Sequence, residues 1–221
     1  MLGSMAIQLL NADCMEFMAT QADNAFDLAI VDPPYGIDDK LNRSSYGKLS
    51  GGALAMYAKN RWDVLPTQKY FDELNRVSKN IIVWGGNYFT EFLPANRCWI
   101  CWHKDNPAPN FSSIELAYSS FDKLPEYFYY AWGGLSDGVL GRNKKEKSIH
   151  PTQKPVKLYE WLLSNYAKEG DKILDTHLGS GSSAIAAHYG GFEFVGCELD
   201  KDYFNAAKAR FNNETKQIKL F

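Results

Sequence analysis

"ILDTHLGSGSSAIAAHYGGFEFVGCELD", residues 173–200, carries the architecture. An apolar run ends in Asp175, a turn containing Gly179 and Gly181 follows, and a stretch of small residues with helical character starts at once. A second apolar run then ends in Glu198. This is a strand–turn–helix–strand unit, the building block of a parallel sheet flanked by helices. In such units the glycines let backbone approach a nucleoside ligand, N–H groups at the helix start face it, and the acid ending the next strand accepts from ribose hydroxyls. Ala184 stands where the dinucleotide fingerprint has its third glycine, and the lysine of a phosphate-binding P-loop is missing. An ordinary glycine-rich loop shares this composition, so the turn alone leaves the ligand open.

Outward from this unit, strands and helices alternate. Strands are expected at 6–11, 26–31, 80–86, 98–104, 113–121 and 171–176, and helices at 67–78, from about Pro155 to 167, and at 200–211 with Asp200 as N-cap. A short helix is expected after residue 86, and "LPEYFYYAWGG" (124–134) fits either state. The 221 residues form one domain, 5–221, with the leading "MLGSM" read as a cloning remnant. The fold class is α/β: a doubly wound, Rossmann-like, mostly parallel sheet with one antiparallel strand. The formal charge of -2 excludes a polycation, so nucleic-acid binding would rest on local basic patches. No apolar run reaches membrane-spanning length and no secretory leader is visible. The four cysteines include Cys98 and Cys101, which a strand would point to opposite faces, and no second pair completes a zinc site. Unpaired thiols, no metal and a reducing cytoplasmic setting are expected.

The strand "FDLAIV" runs into "DPPY", Asp32 to Tyr35. Prolines fix φ and remove N–H donors, so this stretch presents acceptors: the Asp32 carboxylate and the Pro33 carbonyl. "HPTQKP" (150–155) lies just upstream of the glycine turn. The three motifs, in this order and over nearly the whole chain, resemble the DNA amino-methyltransferase family, which modifies exocyclic base nitrogens. Within that family the order resembles the circularly permuted β group, with Leu178 standing where the family's turn carries Phe.

The resemblance implies S-adenosylmethionine as cofactor and double-stranded DNA as partner, with the chain a monomer or homodimer. It assigns catalysis to Asp32, Pro33, Pro34 and Tyr35. It assigns the cofactor to Asp13, Cys14, Asp32, Thr152, Lys154, Asp175, Leu178, Gly179, Ser180, Gly181, Ser182, Glu198 and Leu199. Lys154 would meet the cofactor's carboxylate, and Asp13 its adenine, Asp13 also being a fitting helix cap. The first strand would complete the nucleotide-binding half of the sheet. Gly85 and Gly86 would let backbone approach a ligand, or form a plain turn. Trp102 and His103 read as core packing in preference to a base pocket. DNA contacts are expected from loops 36–62 and 122–150, through Lys40, Arg43, Lys48, Arg142, Lys144 and Lys145. Adenine N6 is the expected target. Cytosine N4, an RNA or protein amide, or a non-catalytic nucleic-acid-binding module are the alternatives.

Overall fold

The computed structural model describes residues 6–36, 64–105, 112–132, 149–150 and 152–216. Its eight strands form one sheet: β1 (Ile7–Asn11), β2 (Phe26–Val31), β3 (Ser78–Trp84), β4 (Trp99–His103), β5 (Ile114–Ser119), β6 (Glu126–Tyr129), β7 (Lys172–Asp175) and β8 (Glu193–Glu198). The spatial order is β1-β8-β7-β2-β3-β5-β4-β6. Only β5 runs against the rest, pairing antiparallel with β3 and β4. As expected, the first strand completes the sheet beside the C-terminal strand, with Asn11 opposite Glu198, and it forms the sheet edge. Within 124–134, which fits either state in the sequence, the four residues of β6 form a strand, parallel to β4 at the other edge.

Side chains alternate across the sheet and build a core on each face. Leu28 and Ile30 of β2 point to one face, with Ile82, Trp84, Ile100 and Trp102. Ala29 and Val31 point to the other, with Ile81 and Val83. The second face is covered by α1 (Cys14–Ala19) and α2 (Gln68–Val77). In α2, Tyr70, Phe71, Leu74 and Val77 form one apolar stripe with helical spacing. The first face is covered by α3 (Val156–Tyr166) and α4 (Ser182–Gly190). α4 is buried almost all round, and its serines and alanines let it approach both α3 and the sheet. The last helix, α5 (Lys201–Thr215), starts at Asp200, whose carboxylate accepts from the N–H groups of Asp202 and Tyr203.

Two local expectations change. After β3 there is only a 3-10 turn, Gly86–Tyr88, because Gly85 bends the chain at φ 67°. Gly85 and Gly86 face protein: a Cβ on Gly85 would lie 2.3 Å from the Tyr35 ring, and one on Gly86 2.8 Å from the Tyr118 nitrogen. The two cysteines of C-x-x-C behave as expected, Cys98 being buried and Cys101 on the opposite side and half-buried. Among the described residues no cluster of His, Cys, Asp and Glu fits a metal ion, and no helix is long and apolar enough to cross a membrane.

Candidate active site

The chain leaves β7 toward β8 on one side and leaves β2 toward β3 on the other. β7 and β2 are neighbours, with Ala29 opposite Leu174. Their carboxyl ends therefore flank a crevice at the point where the strand order reverses, the place where open α/β sheets bind ligands. The Asp32–Tyr35 tetrapeptide leaves the end of β2, and the glycine turn leaves the end of β7.

Asp32 has both oxygens engaged. Oδ1 accepts from the Tyr35 hydroxyl at 2.6 Å, and Oδ2 accepts from Lys154 Nζ. The Tyr35 ring is wedged over Gly85 and stacks on Tyr88 at 5.0 Å between centroids, and Tyr88 itself is 46% exposed. Burial pushes the Tyr35 phenol up, and the Asp32 and Glu115 charges add to this, so it stays a neutral donor. Lys154 is 5% exposed. Burial disfavours its charge, but Asp32 and Glu115 outweigh that and hold its pKa above the usual lysine value. Its Nζ lies 3.4 Å from Glu115 Oε2 and 5.5 Å from the centre of the Trp84 ring. Lys104 donates to Glu115 Oε1 at 2.6 Å. Burial raises the Glu115 carboxyl, yet the two lysines together bring it below its ordinary value. Lys154 is thus paired with protein carboxylates in this structure, where the sequence assigns it to a ligand.

The glycine turn is held from three sides. Gly179 (φ 52°) and Gly181 (φ 76°) take left-handed conformations that side chains disfavour. Gly179 N donates to Glu198 Oε2 at 2.9 Å, and Asp200 N to Glu198 Oε1 at 3.0 Å. Burial raises the Glu198 pKa, partly offset by these amides. Arg210, from α5, donates to the Ser180 carbonyl at 3.0 Å and to Ser182 Oγ at 2.9 Å, and Ser182 Oγ donates to the Lys154 carbonyl at 2.7 Å. Arg210 and Ser182, whose Oγ lies 3.1 Å from Ser180 Oγ, therefore brace the turn from inside. Asp175 accepts from Ser183 Oγ at 2.6 Å and from His177 N at 3.0 Å. Burial nonetheless pushes its carboxyl up to about 7.

Leu178 requires a correction. It is 4% exposed and packs beneath the turn against Gly196 in the sheet core, so it does not line the crevice. An aromatic two residues ahead of Gly179 falls at position 177, and the ring there is His177. Its Nδ1 lies 2.9 Å from Thr176 Oγ1, which is 2.6 Å from the Tyr70 hydroxyl, and the Tyr70 ring meets it edge-on. Burial lowers the His177 pKa to about 4.

The remaining sequence-assigned residues fall around the same edge. Asp13 follows β1, and its Oδ1 caps α1 by accepting from Met15 N at 2.7 Å. Burial, then Asp13, pushes the neighbouring Cys14 thiol up to about 12, so it stays protonated. Leu199, beside Glu198, is 72% exposed for so apolar a side chain. Thr152 is exposed and pairs with His150 Nδ1 at 3.1 Å instead of capping α3, whose N-cap is Pro155. His150 rests against Tyr203 and near Gly179, and burial lowers its pKa to about 4. Trp102 is core, its indole N–H donating to the Tyr130 carbonyl. Lys40, Arg43, Lys48, Arg142, Lys144 and Lys145 lie outside the described residues. Glu115, Tyr88, Arg210 and His177 are the residues that sequence reading misses. Only the count of positions in the turn signals His177, and the other three have no local signal.

Residues 132–209 match the family model described as DNA methylase. The Type II methyltransferase M2.DpnII of Streptococcus pneumoniae is 27% identical, over 94% of this chain and 90% of its own length. M2.MboI of Moraxella bovis is 26% identical, over 96% of this chain and 89% of its own. Among solved structures, the M1.HpyAVI–SAM complex superposes with a TM-score of 0.59 at 20% identity, covering 93% of this chain and all of that one. The cytosine-N4-specific PvuII DNA methyltransferase superposes with 0.61 at 12% identity, covering 95% and 90%. The chain thus has the Rossmann-like fold of DNA methyltransferases and is similar, over nearly its whole length, to Type II DNA methyltransferases.

Proposed function

We propose that this chain transfers a methyl group from S-adenosylmethionine to the exocyclic amino nitrogen of a base in double-stranded DNA, with adenine N6 as the target. The observation that carries this reading is the meeting of Asp32–Tyr35 with the Gly179–Gly181 turn, on neighbouring strands at the switch point. The motif order and the pairing of the first strand with β8 support assignment to the permuted β group.

The residues present fit the cofactor. The left-handed glycines keep side chains off the turn, Glu198 at the end of β8 would accept from ribose hydroxyls, and Asp13 and Leu199, which follow β1 and β8, would meet the cofactor's adenine. When bound, the cofactor supplies an electrophilic sulfonium methyl. The chain's own part is orientation and charge. An exocyclic amine is a poor nucleophile because its lone pair is delocalised into the ring. The Asp32 carboxylate and the Pro33 carbonyl accept its two N–H bonds, draw the nitrogen toward tetrahedral geometry and free the lone pair. The freed pair would attack the sulfonium methyl, forming the N–C bond as the C–S bond breaks toward sulfur, and the surplus amino proton would pass to water. Asp32 stabilises the positive charge that grows on nitrogen, and Tyr35 with Tyr88 offers aromatic surface for the flipped-out base.

The test is transfer of labelled methyl from S-adenosylmethionine to mixed-sequence duplex DNA, followed by nucleoside analysis. N6-methyladenine is expected. N4-methylcytosine would keep the mechanism and change the base. Cofactor binding with no label in DNA would overturn the assignment of substrate.

A further inference from the structure

We propose that Glu115 is a positioning residue that draws Lys154 away from Asp32 when the target base enters; this rests on the amino-methyltransferase reading above. In the structure both Asp32 oxygens already accept a hydrogen bond. Tyr35 occupies one oxygen and the buried Lys154 ammonium the other. An amino group arriving at Asp32 must compete with an ammonium that already holds one oxygen, and that ammonium offsets the carboxylate's charge where a positive charge must later be stabilised. Lys154 therefore has to yield.

The place for it to go is already built. Glu115 Oε2 lies 3.4 Å from Lys154 Nζ, and it is buried without a hydrogen bond of its own among the described residues. A movement of Nζ of less than about 1 Å would make that contact a full hydrogen bond. Glu115 cannot follow Lys154 the other way, because Lys104 anchors its second oxygen at 2.6 Å. β5 holds the glutamate rigidly, with Glu115 opposite Trp102 and Ala117 opposite Trp84. The Trp84 ring lies under Nζ, giving the ammonium a flat aromatic surface along its path. The four charges, Lys104, Glu115, Lys154 and Asp32, sum to zero, so the shift moves charge within a partly buried cluster without adding any to it.

The experiment compares Glu115→Gln in two backgrounds, wild type and Lys154→Met, measuring kcat, KM for DNA and cofactor affinity. In wild type, Glu115→Gln strands Lys154 on Asp32. We expect kcat to fall at least about tenfold, with cofactor affinity held within about threefold. With Lys154 already gone, the same substitution is expected to change kcat by less than about threefold. Lys154→Gln replaces Lys154→Met if the double variant does not fold. Equal losses in both backgrounds, a parallel loss of cofactor affinity, or no loss in wild type would each overturn the proposal. A failure of the underlying reading is separate: unmutated protein that binds cofactor but methylates no DNA.

Discussion

Gly85→Ala tests how tightly the fold sets Tyr35, to which the proposed function gives a catalytic role. The new Cβ would lie 2.3 Å from Tyr35 Cε1 and 2.7 Å from Cζ, against an ordinary carbon–carbon contact of about 3.5 Å. The ring must retreat by about 1 Å, and Gly85, fixed between β3 and the 3-10 turn, cannot retreat instead. Its φ of 67° also costs an alanine roughly 1–2 kcal/mol. Moving the ring breaks the hydroxyl's bond to Asp32, which contributes about 1.5 kcal/mol at the low end for a charged acceptor that keeps Lys154 as partner. The sum is about 3 kcal/mol, a fall in Tm of roughly 6–12 °C for a chain of this size. The rate should suffer more than stability, because a misplacement of about 1 Å can cost on the order of 100-fold. Single-turnover methyl transfer to duplex DNA and calorimetric cofactor binding read the two effects apart. Gly85 follows β3, which β2 separates from β7 and its glycine turn, so cofactor affinity should stay within about threefold of wild type. Transfer at near wild-type rate, or a cofactor affinity that collapses along with the rate, would refute the reasoning.

Asp32→Ala should abolish transfer while cofactor binding persists. It also leaves a buried ammonium with Glu115 as its remaining carboxylate, so Tm should drop, and adding Lys154→Met should recover part of the drop in a thermal melt. Arg210→Met removes the donors to the Ser180 carbonyl and Ser182 Oγ. Isothermal titration should then show cofactor affinity weakened about tenfold, with kcat at saturation little changed. His177 takes up a proton near pH 6.5 in the unfolded chain but only near 4 in the folded one, since burial disfavours its charge. Its contribution is complete above pH 6.5 and is lost as pH falls toward 4, amounting to roughly 2 kcal/mol by pH 5. Asp175, raised to about 7 by burial, works in the opposite direction, losing stability as pH rises from its unfolded value toward 7. His177→Phe should therefore flatten the acid side of a Tm-against-pH curve, and an unchanged slope would count against the burial argument.

The sequence by itself determined the sheet, the order of its motifs and most of the crevice. Those features are written locally. Alternating or continuous apolar runs specify strands, Gly179 and Gly181 specify a turn that other residues strain to make, and Asp-Pro-Pro-Tyr fixes its own backbone. That the first strand completes the nucleotide-binding half followed from the family resemblance, and the structure puts it at the edge beside β8. The tertiary structure decided what surrounds those motifs. Glu115 is one glutamate on an unremarkable strand until the antiparallel insertion of β5 carries it to Lys154, 39 residues further along the chain. Arg210 is a surface-type residue on a helix until α5 folds it under the glycine turn. Leu178 and His177 are adjacent, and only the twist of the turn decides that the leucine goes to the core and the imidazole toward Tyr70 and the crevice. Such contacts join residues far apart in sequence, so their energies depend on distances that no local pattern encodes. Among them is the pairing of Lys154 with Asp32, which turns a residue assigned to the cofactor into a partner of the carboxylate that ends β2.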